Sequence, residues 1–431
     1  MEKSEILGIL NDWNFWKKDI ETGIKRQEYV SNIQETSKTN EIVIVKGIRR
    51  CGKSTLLLQF CSELIKSGVK KEDILIINFE DPRFRNLDIS LLNEIYEVYL
   101  TELNPSEKHY VILDEVQIID KWEKFARFLN ENKKVHVFVT GSSSKLLSSE
   151  YSTVLSGRHL DIKLSPLSFK EFLSFLGIEL KNEIDIVSKR HEIKRAFADY
   201  IKWGGFPKVV LENSEKGKRE LLEMYFKDII IKDIIARYKI KETGKLEELA
   251  KYYLSNISTL HSSNKIKNIL NASLNMVQRF SDYLSYAYLL AFVPKFSWKV
   301  KEQLLNPKKV YSSDTGLRNS VSFLFKEDYG RLAENIVFNK LSSQENEIFY
   351  WKGKHESDFV VKKRHKIKEV IQVCWNISNI QTKEREINGL IEACKELKLK
   401  KGLIITEDLE KEETIEGLKI EYLPLWRWLL E

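Results

Sequence analysis

The chain has 431 residues, enough for two or three domains, and is 42% hydrophobic and 31% charged. Its 70 basic and 63 acidic residues leave a net charge of +7, which permits nucleic-acid contact without requiring it. No apolar run is long enough to span a bilayer, and the four cysteines lack CxxC spacing, so membrane insertion, zinc ribbons and a disulfide framework are not expected. The opening MEKSEILGIL has no apolar export core, which predicts a cytoplasmic protein.

Residues 1–36 read as a polar helical segment with a Trp13, Phe15 and Trp16 cluster. Residues 37–165 alternate short β-branched runs with amphipathic stretches. The runs are Ile42–Val45, Ile74–Phe79, Tyr110–Leu113, Val135–Thr140 and Leu160–Leu164. Near-continuous apolar strands alternating with helices predict an α/β fold with a parallel sheet covered on both faces. Residues 166–235 read as a helical lid or linker broken at Gly204, Gly205 and Pro207. Residues 236–320 read as short helices followed by a β-hairpin, and residues 321–431 as a second, smaller α/β unit.

The segment Gly47-Ile48-Arg49-Arg50-Cys51-Gly52-Lys53-Ser54-Thr55 fits GxxxxGK followed by Ser or Thr, after a strand and at the head of an apolar helix. Glycines let the backbone N–H groups wrap phosphates, and the helix N-terminus adds partial positive charge. Lys53 is placed to reach the β- and γ-phosphates of ATP, and Ser54 to offer its hydroxyl to Mg2+. The run Tyr110-Val-Ile-Leu-Asp114-Glu115 is a buried strand ending in two carboxylates. Asp114 is expected to hold magnesium and Glu115 to polarise the attacking water. The run Val135–Thr140 leads into Gly141 and Ser142–Ser144, where a polar side chain could sense the γ-phosphate or simply cap a helix. Arg158 is a candidate for stabilising charge on the transferred phosphoryl group, with Arg49 and Arg50 as alternatives.

Taken together, "GIRRCGKST", "INFEDPRF", "VILDEVQ", "TGSSSKLLSSE", "LSGRHLDIKLSPLSFKEF" and "WGGFPKVV" resemble the AAA-type ATPases of the archaeal ATPase family. The resemblance covers nearly the whole chain. It implies an ASCE-type P-loop domain, with the sensor strand between the two Walker strands. It also implies a winged-helix region and a restriction-endonuclease-like C-terminal fold.

Within residues 245–312, Leu246–Ser255, Lys265–Leu270 and Ser273–Leu290 fit the helices of a winged helix, and Phe292–Ser312 its wing. Asn275, Gln278 and Arg279 are then outward positions for a DNA groove, and Lys299, Lys301, Lys308 and Lys309 phosphate contacts. The same module could instead be a lid or an oligomer contact. In the tail, Glu334, Asp358 and the strand Val370–Trp375 follow a PD-(D/E)xK layout. Gln372-Val373-Cys374 stands where Glu-x-Lys is expected, so the nuclease fold is read as degenerate. Lys340, Lys352 and Lys354 are the possible stand-ins for the missing lysine. Three functions follow: an ATP-driven motor or switch on double-stranded DNA, a nucleotide-controlled assembly switch acting as a homo-oligomer, or an ATP-gated nuclease.

Overall fold

The computed structural model describes residues 1–142, 155, 157–322, 328–344, 346–377 and 380–431. The chain divides into two units, Met1–Leu164 and Ser165–Glu431.

The first unit is built on β1 (Ile42–Lys46), β2 (Ile74–Asn78), β3 (His109–Asp114), β4 (Val135–Gly141) and β5 (His159–Lys163). All pairings are parallel, in the order β2-β3-β4-β1-β5. β3 and β4 are buried along their whole length, as expected of strands covered on both faces. Helices α1 (Lys3–Trp13), α2 (Gln27–Thr36), α3 (Lys53–Lys66), α4 (Ile89–Leu103) and α5 (Trp122–Glu131) accompany the sheet. α1 joins the sheet's core through Ile6, Ile9 and Leu10.

The residues after α1 close the edge strand β2. The Asn14 side chain donates to Ile76 O (2.9 Å) and accepts from Ile76 N (2.7 Å), and Trp16 Nε1 donates to Ile74 O (2.8 Å). An open edge with unpaired backbone groups would otherwise invite pairing with another chain.

The second unit begins with α6 (Phe169–Phe175), α7 (Glu183–Ser188), α8 (Arg190–Trp203), α9 (Pro207–Leu211) and α10 (Glu215–Asp228). Then come α11 (Thr243–Ser255), β6 (Leu260–His261), α12 (Ser263–Ile269), α13 (Leu274–Tyr286), β7 (Leu290–Val293), α14 (Val300–Leu305) and β8 (Lys308–Ser312). β6, β8 and β7 form a small antiparallel sheet in that order. The expected hairpin between Phe292 and Ser312 is present, with α14 inserted in its connection.

α15 (Thr315–Val321) and α16 (Tyr329–Ser343) lead to a six-stranded mixed sheet. Its strands are β9 (Glu347–Lys352), β10 (Glu356–Lys363), β11 (Lys366–Val373), β12 (Lys401–Thr406), β13 (Lys411–Ile415) and β14 (Leu418–Pro424). α17 (Ile380–Glu396) joins β11 to β12, and α18 (Leu425–Trp428) ends the chain's regular structure. The β13–β14 hairpin turns on Glu416 (φ +51°) and Gly417 (φ +79°). Residues with φ > 0 suit a tight hairpin of that kind.

Candidate functional site

β1 runs directly into the glycine loop, and α3 starts at Lys53. Gly52 precedes the helix at φ +99°, a conformation that a side chain would strain. Gly47 is required for space, because a Cβ there would sit 2.0 Å from the Leu164 carbonyl oxygen. The loop is tied from outside as well. Arg26 Nη1 donates to Cys51 O (3.2 Å), and Arg49 pairs with Glu80 (2.8 Å), just past β2. Arg50 and Thr55 are exposed, whereas Ile48 and Cys51 are buried.

Because β3 lies beside β4 and β4 beside β1, the polar ends of three strands converge on this loop. Ser54 Oγ donates to Asp114 Oδ1 (2.9 Å), and Thr140 Oγ1 donates to the same oxygen (2.6 Å). Thr140 Oγ1 also accepts from Glu115 N (2.8 Å). The threonine at the end of the middle strand therefore fixes both carboxylate residues.

Lys53 Nζ lies 3.3 Å from Glu115 Oε1 and donates to Gly47 O (3.3 Å) and Ile48 O (3.4 Å). Glu115 Oε2 accepts from Gln117 Nε2 (2.5 Å). Glu115 itself has φ +53°, an uncommon conformation for a glutamate.

Burial and then the neighbouring Glu115 push the Asp114 carboxyl up to about 6. Burial also raises Glu115, but Lys53, Gln117 and Arg49 outweigh it and hold that carboxyl below its ordinary value. Two adjacent carboxyls are thus driven apart, one toward the proton and one toward the charge.

The structure brings Lys53, Ser54, Asp114 and Glu115 together with the loop residues 47–52. It does not bring Arg158. That residue precedes β5, and Ile42 N donates to its carbonyl (3.0 Å), so it sits at the sheet edge where β1 begins. The loop starts where β1 ends, four residues or roughly 13 Å further along the strand. The Arg158 guanidinium pairs with Glu131 (3.3 Å). Ser142 is buried at the end of β4, while Ser143 and Ser144 lie outside the described residues. Gln117, Arg26 and Glu80 were not identified from sequence. Each acts across a separation or turn that no short motif records.

The second unit holds another charged cluster. Lys309 on β8 is buried, with Nζ at 2.8 Å from Asp358, 2.9 Å from Glu356 and 3.1 Å from Glu334. Tyr311 OH donates to Glu334 (2.6 Å), and Gln372 Nε2 donates to Asp358 Oδ2 (2.8 Å). Glu334, Asp358 and Gln372 are therefore brought together around Lys309. The lysine at the carboxylates comes from the supposed wing, which corrects the reading of Lys309 as a phosphate contact. Of the suggested stand-ins, Lys352 reaches only the rim at Glu356 (3.4 Å), and Lys340 bonds the Trp428 carbonyl. Burial and then Asp358 push Glu334 up to about 8. Burial lowers Lys309, but the surrounding carboxylates, Asp358 first, outweigh it and keep it charged.

Residues 39–173 match the family model of the AAA domain, and residues 194–328 match a domain of unknown function. The chain is 36% identical over 408 residues to the uncharacterized protein MJ1544 of Methanocaldococcus jannaschii, covering 91% of this chain and 88% of that protein. It is 29% identical over 411 residues to an uncharacterized protein of Haemophilus influenzae, covering 94% of this chain and 98% of that one. Among solved structures, the Walker-type ATPase PABY2304 of Pyrococcus abyssi aligns with a TM-score of 0.44 at 13% identity, over 70% of this chain and 99% of that chain. No helix among the described residues is long and apolar enough to cross a membrane.

Proposed function

We propose that this chain, which belongs to the family of the M. jannaschii protein MJ1544 and carries an AAA-type P-loop ATPase core, hydrolyses ATP with magnesium to drive a change on double-stranded DNA. The observation that carries the ATPase reading is the Ser54 hydroxyl bonded to the Asp114 carboxylate beside the glycine loop and Lys53. A hydroxyl and a carboxylate are hard oxygen donors, the pair that magnesium at a P-loop calls for. Magnesium held there would neutralise charge on the β- and γ-phosphates.

The roles of this chain's own residues follow from their contacts. Backbone N–H groups of residues 47–55 cradle the phosphates. Lys53 leaves its Gly47, Ile48 and Glu115 partners for phosphate oxygens. Glu115, held ionised, accepts the proton of the attacking water. Thr140 holds the Asp114 carboxylate and the Glu115 backbone in register. Arg158 faces away from its own loop, so a role on the phosphoryl group requires a second copy in a homo-oligomer.

The DNA reading rests on the module from α11 to β8. Three helices and a three-stranded sheet in the order β6-β8-β7 support a winged helix. Asn275, Gln278 and Arg279 are exposed on α13, and Lys299, Lys301 and Lys308 are exposed along the β7–β8 connection and the start of β8. Groove contact by a helix and phosphate contact by lysines is the arrangement such modules use. Gln372, bonded to Asp358 where a second carboxylate is expected, favours a degenerate nuclease fold, since a neutral amide is a weaker magnesium ligand.

The test is ATP turnover by the full chain with and without single- or double-stranded DNA, at two salt concentrations. Expected are magnesium-dependent turnover lost in Lys53→Ala, and stimulation by duplex that fades as salt rises. Turnover equal in wild type and Lys53→Ala sinks the ATPase reading. Turnover and nucleotide-dependent assembly with no DNA response at either salt favours the assembly switch.

A further inference from the structure

The second unit contains a cavity of about 980 Å3 far in sequence from the glycine loop. Phe197, Trp203, Trp375 and Trp426 supply aromatic walls, and Arg318 and Arg219 are among its lining cations. Its size lies at the upper end of small-molecule sites, which run to roughly 1,000 Å3. Two observations independent of its shape bear on what it holds.

The first is Arg318. This side chain is 1% exposed, yet among the described residues no carboxylate lies within ion-pair distance of it. Nη1 donates to Asn319 Oδ1 (3.1 Å), whereas Nε and Nη2 have no hydrogen-bond partner among the described residues. Among the described residues, Asp328 acts on it through charge and is itself engaged by Arg331 (3.0 Å). Burial pulls the guanidinium down to about 10. A buried charge with unmade donors is costly unless something answers it.

The second is how firmly the residue is held there. Asp314 caps α15 by accepting from Leu317 N (2.9 Å) and ties it to the Gly204-Gly205 break by accepting from Gly205 N (2.7 Å). Asn319 Nδ2 donates to Ile201 O (3.0 Å) and Lys202 O (2.9 Å) at the end of α8. A Cβ on Gly316 would lie 1.9 Å from the Trp203 carbonyl, so α15 is pressed onto that turn. The fold thus anchors, beside aromatic walls, a guanidinium that no carboxylate among the described residues answers.

We propose that this cavity binds a small organic anion with an aromatic body, its carboxylate, sulfonate or phosphate group seated over Arg318 and its rings against the tryptophans. The lining acids do not contradict this. Asp199, Glu407 and Asp408 are exposed at the rim, and Asp408 is taken by Lys194 (2.6 Å) and Arg190 (3.2 Å). Lys202 stands over the Trp203 ring (4.8 Å) but is paired with Glu215 (2.6 Å), so Arg318 is the cation that a ligand would answer. In a site of low dielectric the buried cation dominates the field that a ligand meets.

The experiment uses the full chain and two fluorescent dyes, anilinonaphthalene sulfonate and its uncharged parent phenylnaphthylamine. Expected is saturable binding of the sulfonate, at least about tenfold tighter than the neutral dye, with phenyl phosphate and benzoate as competitors. Arg318→Met should weaken it about tenfold or more, and Lys53→Ala should leave it unchanged. If Arg318→Met does not fold, Ala198→Trp at the exposed edge of the cavity decides the matter by blocking it. No saturable binding, equal affinity for both dyes, loss in Lys53→Ala, or full binding by Ala198→Trp would each overturn the proposal.

Discussion

Replacing Glu115 with glutamine separates two roles that its geometry assigns to it. In the structure its carboxylate lies 3.3 Å from Lys53 Nζ and also accepts from Gln117. At an effective dielectric near 20, a charge pair at that distance attracts by roughly 5 kcal/mol before solvation is counted. ATP binding exchanges that partner for phosphate oxygens, so only part of the attraction opposes the ligand. If about 1.4 kcal/mol of it does, removing the charge tightens ATP binding about tenfold. Hydrolysis should move the other way. A positioned general base contributes about a hundredfold to ten-thousandfold, and an amide cannot accept the proton. Titration with a fluorescent ATP analogue measures the first effect and phosphate release the second. Turnover within about threefold of wild type would refute the assignment of Glu115 as base. Binding weakened tenfold or more would refute the claim that Glu115 competes with phosphate for Lys53.

Gly47→Ala places a methyl group against the Leu164 carbonyl, and overpacking of this kind costs about 1–3 kcal/mol. Nucleotide binding should be lost and thermal stability lowered. An alanine variant that binds ATP normally would show that the loop and the end of β5 can separate freely. Lys309→Met leaves Asp358 buried, and Glu356 partly buried, without their cation, which should destabilise the second unit by about 3–5 kcal/mol in urea unfolding. A loss below ~1 kcal/mol would mean that the cluster is hydrated. The pH dependence of that unit should carry the mark of Glu334. Its folded value of about 8 stands above the ordinary 4.5, so the proton is favoured in the fold. That stabilisation is complete below 4.5 and is lost as pH rises through 8. Wild type should therefore weaken between those limits in urea titrations, and Glu334→Gln should show a flatter profile. Parallel profiles would remove Glu334 as the cause.

What could be read from sequence was local. The glycine loop and the strand ending in Asp114-Glu115 are contiguous strings whose flanking strand and helix are visible in the same window, so chemistry and placement were legible together. Gln117 sits beside the second string and Thr140 ends a separate strand, and their roles depend on the orientation of a turn and on which strand lies in the middle of the sheet. Arg26 reaches Cys51 from a segment with no regular pattern.

Lys308 and Lys309 show the harder case. Neighbours on a strand face opposite ways, so one of two adjacent lysines must point inward wherever that strand is covered. The sequence does not say which. The answer is set by Glu334 on α16 and by Glu356 and Asp358 on β10, 25 to 49 residues away. Consequently the inward lysine joins a carboxylate cluster and the outward one remains free to meet phosphate.

Arg158 teaches the opposite lesson, because its position follows from elements that the sequence did reveal. Parallel strands start at one edge of a sheet and end at the other. The glycine loop follows a strand, whereas Arg158 precedes one. Once Leu160–Leu164 is taken as a strand parallel to Ile42–Val45, Arg158 belongs at the far edge. A side chain there cannot cover roughly 13 Å to the phosphates of its own chain. If Arg158→Ala slows ATP turnover, the effect should therefore depend on protein concentration and appear only where copies associate. A loss that persists at dilutions where the chain is monomeric would require β5 to leave its register beside β1.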